Sequence, residues 1–120
     1  MNALIRRKLT LAGIDLKSML ERFMGNEDLV SRFLIKFAED DNYDKLLEAM
    51  NAHEKEDAVV ASHTLKGICG NLSMVRLFDL FSRQVEALRE DDWEGAQALM
   101  PEIEDNYTLI MRTIRECGWV

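Results

Sequence analysis

Proline occurs once in the 120 residues, as Pro101, and glycine six times. So little turn punctuation is hard to reconcile with the many short strands of an all-β fold. The two cysteines, Cys69 and Cys117, form no CxxC pair. Neither a disulfide framework nor a thiolate metal centre is indicated, and a reducing cytoplasm is the expected location. No apolar run reaches the roughly 18 residues of a membrane span, and the N-terminal NALIRRKLTLAGIDL is interrupted by Arg6, Arg7 and Lys8. Positive charge is in deficit too: 15 Lys and Arg against 22 Asp and Glu give a formal net charge of −7, with the acidic residues spread along the chain. Phosphate backbones and anionic lipid surfaces attract an excess of positive charge, so neither nucleic acid nor membrane is an expected partner.

What is present is helical periodicity. A chain of this length is expected to form one domain, residues 1–120, that buries roughly two thirds of its unfolded surface. Asp15 is a plausible N-cap for a short helix carrying Leu16, Met19, Leu20 and Phe23 on one side and ending at Gly25. Asn26 caps the next start, with Glu27 and Asp28 placed to complement the helix dipole. Apolar spacing then predicts helices over about 27–52, 57–72, 74–90 and 93–116. Polar residues from Glu39 to Asn42 interrupt the first of these stripes, which allows a bend or a break, and Pro101 should bend or restart the last. Four amphipathic helices with short connections predict an all-α fold: an up-down-up-down antiparallel four-helix bundle with a short additional N-terminal helix.

One stretch breaks the rule of good helix formers. ASHTLKGICGNLS, Ala61 to Ser73, has helical apolar spacing yet carries Gly67 and Gly70. Each interior glycine costs about 1 kcal/mol relative to alanine, so a compensating reason is needed. Counting three, four and seven residues on from His63 reaches Lys66, Gly67 and Gly70, which share its face. Leu65, Ile68, Cys69 and Leu72 point largely elsewhere. One reading is that the glycines clear space around an outward imidazole; the other is that they let two helices cross closely. A neutral imidazole, with an unperturbed pKa of about 6.5, is a good nucleophile toward phosphorus, and a nearby lysine would offset the charge of the adduct.

The sequence ASHTLKGICGNLSMVRLFDL resembles the signature of histidine-containing phosphotransfer domains: a small residue and His, then x-Leu-Lys-Gly, a small-residue stretch, Asn-Leu and Leu-x-x-Leu. A weaker likeness extends through GIDLKSMLERFMGNEDLVSRFLIKF upstream and REDDWEGAQALMPEIE downstream. The resemblance implies a phosphorelay intermediate rather than an enzyme, without a nucleotide site of its own. His63 would take a phosphoryl group from a receiver-domain aspartate and pass it to another receiver domain, Lys66 would assist electrostatically, and Gly67 and Gly70 would give the receiver access. No cofactor is implied, since the magnesium belongs to the receiver, and no Walker-type glycine loop is present.

The family commonly has glycine where Ser73 stands, a mild change if that serine caps the next helix. It often places Gln or Glu near the active ring; ungapped alignment reaches Val85, leaving Gln84 and Glu86 as candidate ring partners. Val59 and Met74 are candidates for a docking patch, with Leu16 and Met19 better read as core. A monomer is expected, engaging receiver domains of a hybrid sensor kinase or response regulator.

The alternatives are a sensor-kinase dimerisation module, disfavoured because Gly67 stands where such helices carry proline, and a non-catalytic helical adaptor. A carboxylate-bridged metal bundle is disfavoured because the residues three before His53 and His63 are Met50 and Val60 rather than glutamate. His53 falls in a predicted loop and reads as a solvated side chain. Cys69, six residues from His63 on another face, is no partner for a nucleophile pair.

Overall fold

The computed structural model describes residues 1–119, and these are all-helical. In chain order the helices are α1 (Ala3–Leu11), α2 (Leu16–Arg22), α3 (Glu27–Glu39), α4 (Asn42–Asn51), α5 (Lys55–Asn71), α6 (Val75–Arg89), α7 (Trp93–Ala98) and α8 (Met100–Glu116). The predicted caps form: Asp15 Oδ1 accepts from the Ser18 N–H at 3.1 Å, and Asn26 Oδ1 accepts from that of Leu29 at 3.0 Å. Predicted helix 27–52 is two helices. Asp40 is extended, with ψ 138°, and its Oδ1 accepts from the Asn42 N–H at 2.8 Å, starting α4 afresh. Predicted helix 93–116 is likewise divided, because Pro101 falls in the first turn of α8, where its missing N–H costs nothing.

The N-terminal end carries two short helices rather than one. Asn2 Oδ1 caps α1 by accepting from the Ile5 N–H at 2.9 Å. Leu9, Ala12 and Ile14 are buried. Arg6 pairs with Glu27, and Lys8 meets Glu116 at 3.1 Å. The link between α1 and α2 is pinned to the turn between α5 and α6 by two backbone hydrogen bonds: Asp15 N–H to Ser73 O at 2.9 Å, and Val75 N–H to Gly13 O at 3.1 Å. A core of Val30, Leu34, Phe37, Leu46, Leu65, Leu77, Leu80, Phe81, Ile103, Ile110 and Ile114 runs between the longer helices. α5 packs against both α4 and α6.

Tyr43 of α4 and Tyr107 of α8 stack with ring centroids 3.9 Å apart. The Tyr43 hydroxyl is buried and has no hydrogen-bond partner among the described residues. Burial, reinforced by nearby carboxylates, pushes both phenols up to about 12, and burial pushes the Cys69 thiol up to about 12. These groups ionise more readily unfolded than folded. The stability they confer is therefore whole below their ordinary values, 9.0 for the thiol and 10.0 for the phenols, and drains away as pH rises toward about 12. Urea midpoints should fall across this alkaline window. Tyr43→Phe, which removes an unpaired buried hydroxyl, should hold or raise stability at neutral pH by up to about 1 kcal/mol and fall less steeply in alkali. A loss above about 1 kcal/mol at neutral pH would mean that the hydroxyl has a partner after all.

Candidate functional site

Helix α5 starts with Glu56 and Asp57 in its first turn, where their charge suits the dipole. Its buried face is narrow and made mostly of small side chains: Ala58, Ala61, Ser62, Leu65 and Cys69. Such residues let neighbouring helices approach closely, so the rotation of α5 about its axis is tightly defined. A polar bond reinforces this. Ser62 Oγ donates to Gln84 Oε1 at 2.8 Å, and Gln84 Nε2 donates to Ala96 O at 3.2 Å and to Met100 Sδ at 3.0 Å. Both side chains are 0% exposed. With Ser62 opposite Gln84 and Gly70 against Phe78, α5 and α6 run antiparallel.

Residue 63 follows the locked serine by about 100° of rotation, which carries His63 to the exposed face. Gly67 is also exposed, and Lys66 and Gly70 are half-buried on the same side. The two glycines differ. A Cβ built at Gly67 meets nothing within 4 Å, whereas one at Gly70 would meet Cδ1 and Cε1 of Phe78 at 3.0 Å. Gly67 is open to the outside; Gly70 is a seat for an aromatic ring. Of the two glycines expected to serve access, Gly67 has open space beside it and Gly70 has the Phe78 ring. The Lys66 ammonium lies 5.9 Å from the centroid of that same Phe78 ring and is in no ion pair among the described residues.

Several expected site residues fall elsewhere. Gln84 is no ring partner for His63, because its amide is consumed by Ser62, Ala96 and Met100 inside the core. Val85 is buried as well, and Glu86 is exposed on α6. The His63 ring has no side-chain hydrogen bond among the described residues, Glu86 included. Met74 cannot contribute to a docking patch: it is 1% exposed, folded under the bridge between Gly13–Asp15 and Ser73–Val75. Val59 is half-buried, and Leu16 and Met19 are core, as their spacing indicated. The exposed apolar side chains on these helices are instead Val60 on α5 and Val75 and Phe78 on α6. Phe78 stands off the buried stripe of Leu77, Leu80, Phe81, Gln84 and Leu88, and that off-register aromatic was the signal available in the sequence.

Ser73 does not cap α6. Its φ of +53° puts it in the left-handed region after the end of α5, and Met74 takes the position before α6. That conformation is one in which glycine is the favoured residue. The serine hydroxyl is used sideways, donating to Ser18 Oγ at 3.2 Å and accepting from Arg22 at 3.3 Å. Arg22 also donates to the final carbonyls of α5, Gly70 O at 2.6 Å and Asn71 O at 2.7 Å, so α2 caps the helix that carries the histidine. His53, at the turn into α5, stacks on Trp93 at 3.8 Å between centroids.

No protein-family model matches the chain, and no curated protein or solved structure matches it. Among the described residues, no three His, Cys, Asp or Glu side chains gather as metal ligands, and no helix is long and apolar enough to cross a membrane.

The buried polar pair yields a stability test. Ser62→Ala strands the Gln84 carbonyl and Gln84→Leu strands the serine hydroxyl, so each should cost about 1–3 kcal/mol in urea unfolding. The double variant should cost less than the sum, with a coupling of about 0.5–3 kcal/mol. Strict additivity would show that the two side chains do not support each other.

Proposed function

We propose that this protein is a phosphorelay intermediate of the histidine-containing phosphotransfer type, accepting a phosphoryl group on His63 from a receiver-domain aspartate and handing it to another receiver. The observation that carries the reading is the open ridge on α5: an exposed imidazole, Lys66 one step along, and Gly67 with no neighbour within 4 Å of where a side chain would begin. A helical glycine costs about 1 kcal/mol, and nothing inside the protein offsets that cost at Gly67. An approaching partner surface would.

In the transfer, the lone pair of the unprotonated ring nitrogen attacks phosphorus. The acyl-phosphate P–O bond of the donor breaks, and its electron pair stays on the aspartate as carboxylate. The proton on the other ring nitrogen makes the product a phosphoryl-imidazolium until it passes to water. Lys66 meets the oxygens of the new group, and a charge-assisted contact of that kind is stronger than a neutral one. Magnesium, where the reaction needs it, is held by the receiver. Val60, Val75 and Phe78 supply apolar surface for a small, transient contact.

At the level of fold, the reading calls for an up-down-up-down four-helix bundle, whose four segments would be α3 with α4, α5, α6, and α7 with α8, with α1 and α2 added at the N-terminal end. A cytoplasmic monomer belongs to the same proposal. The exposed apolar residues would equally serve a helical adaptor without chemistry, which labelling separates from the relay.

Incubation with a phosphorylated receiver should produce an acid-labile, base-stable phosphoryl adduct that His63→Gln abolishes. Normal labelling of that variant overturns the site. Gly67→Leu should retain the helical circular dichroism spectrum while slowing transfer from the receiver by about tenfold or more, the equivalent of about 1.4 kcal/mol of lost docking. Unchanged transfer would remove Gly67 from the contact.

A further inference from the structure

Phe78 is an aromatic residue without a core to fill. It lies on the outer side of α6, and the residue stays 41% exposed. Transfer of apolar area from water explains buried Phe81 on the same helix far better than it explains Phe78. Two contacts distinguish the ring. Its edge rests where α5 has no side chain, Cδ1 and Cε1 lying 3.0 Å from the place a Cβ would occupy on Gly70. Its face takes the Lys66 ammonium at 5.9 Å from the centroid.

These contacts form a stack: Gly70 backbone, Phe78 ring, Lys66 ammonium. A lysine on a helix surface samples many rotamers, most of them directed into solvent. An exposed cation–π contact is weak and shifts such populations by only about two- to fivefold. That is the useful range for a group on the same face of α5 as His63 that has to leave the ring when a stronger anion appears. A phosphoryl group carrying close to two negative charges on His63 is such an anion.

We infer that Phe78 is a positioning residue: seated in the gap that Gly70 leaves, its ring holds the Lys66 ammonium on the His63 side of α5 and yields it to the phosphoryl group. Gly70 is then bare so that the edge of the ring can rest against α5, and it serves the lysine instead of a partner. The chemical half of this inference rests on the phosphorelay reading. The seat itself does not.

The test has two arms. In the first, NMR of the intact protein should show the Lys66 ε-methylene protons shifted upfield of those of the other lysines by the ring current. The shift should vanish in Phe78→Leu, persist in Phe78→Tyr, and vanish in Gly70→Ala, where the ring is present but displaced by the new methyl. A Lys66 signal unchanged in Phe78→Leu overturns the seat. Thermal melts establish that each variant is folded, which the exposure of Phe78 favours.

In the second arm, His63 is labelled with phosphoramidate, a small donor that needs no docking and loses ammonia as its P–N bond breaks. Phe78→Leu should slow labelling about two- to fivefold. Phe78→Tyr should restore the rate, and Phe78→Leu should have no effect in a Lys66→Ala background. Equal slowing with and without the lysine overturns the inference while leaving the relay intact. Failure of wild-type His63 to take label overturns the relay and the positioning role with it, and the NMR arm then decides the seat alone.

Discussion

Ser62 and Gln84 are each fully enclosed, and the 2.8 Å hydrogen bond between them fixes how α5 is turned against α6. A small rotation of α5 would break that bond and strand two polar groups in an apolar interior, at a cost of the order of 1–3 kcal/mol apiece. It would also push Leu65 out of the core and draw His63 in. The exposure of the imidazole is thus a consequence of what its neighbour in sequence does inside. The rest of the site follows from that rotation, because Lys66, Gly67 and Gly70 are fixed to His63 by the helical repeat.

The helix is held along its length by neighbours of different kinds. Small residues let α4 and α6 come close, and Arg22 closes its C-terminal carbonyls from α2. The bridge between Gly13–Asp15 and Ser73–Val75 ties the turn after α5 to the N-terminal segment. A helix weakened from within by two glycines needs such support. The left-handed serine at position 73 is tolerated for the same reason: Ser18 and Arg22 both use its hydroxyl.

Much of the helical content was legible because apolar periodicity and capping residues are local signals. Asp15, Asn26 and Pro101 acted where their chemistry said they should. The division at Asp40 was foreshadowed by a polar interruption, and the extended residue there offers its own carboxylate to the first N–H of α4. Helix α1 was missed as a core element because one buried leucine, Leu9, among basic and exposed neighbours leaves almost no stripe to read. Within the site, the face of His63 could be counted out residue by residue. The roles of Gln84, Met74 and Phe78 could not, since each depends on which helix lies opposite.

Sequence alone determined most of the helical content, the acidic surface, and the grouping of His63, Lys66, Gly67 and Gly70 on one face of α5, because all of these follow from composition and a 3.6-residue repeat. Tertiary structure decided which way that face points and which glycine is open. It seated Phe78 on Gly70 under the Lys66 ammonium, drew Gln84 and Met74 inside, and left the imidazole facing water. Those outcomes turn on contacts between residues distant along the chain, and no local pattern encodes which side chain will be opposite a bare backbone.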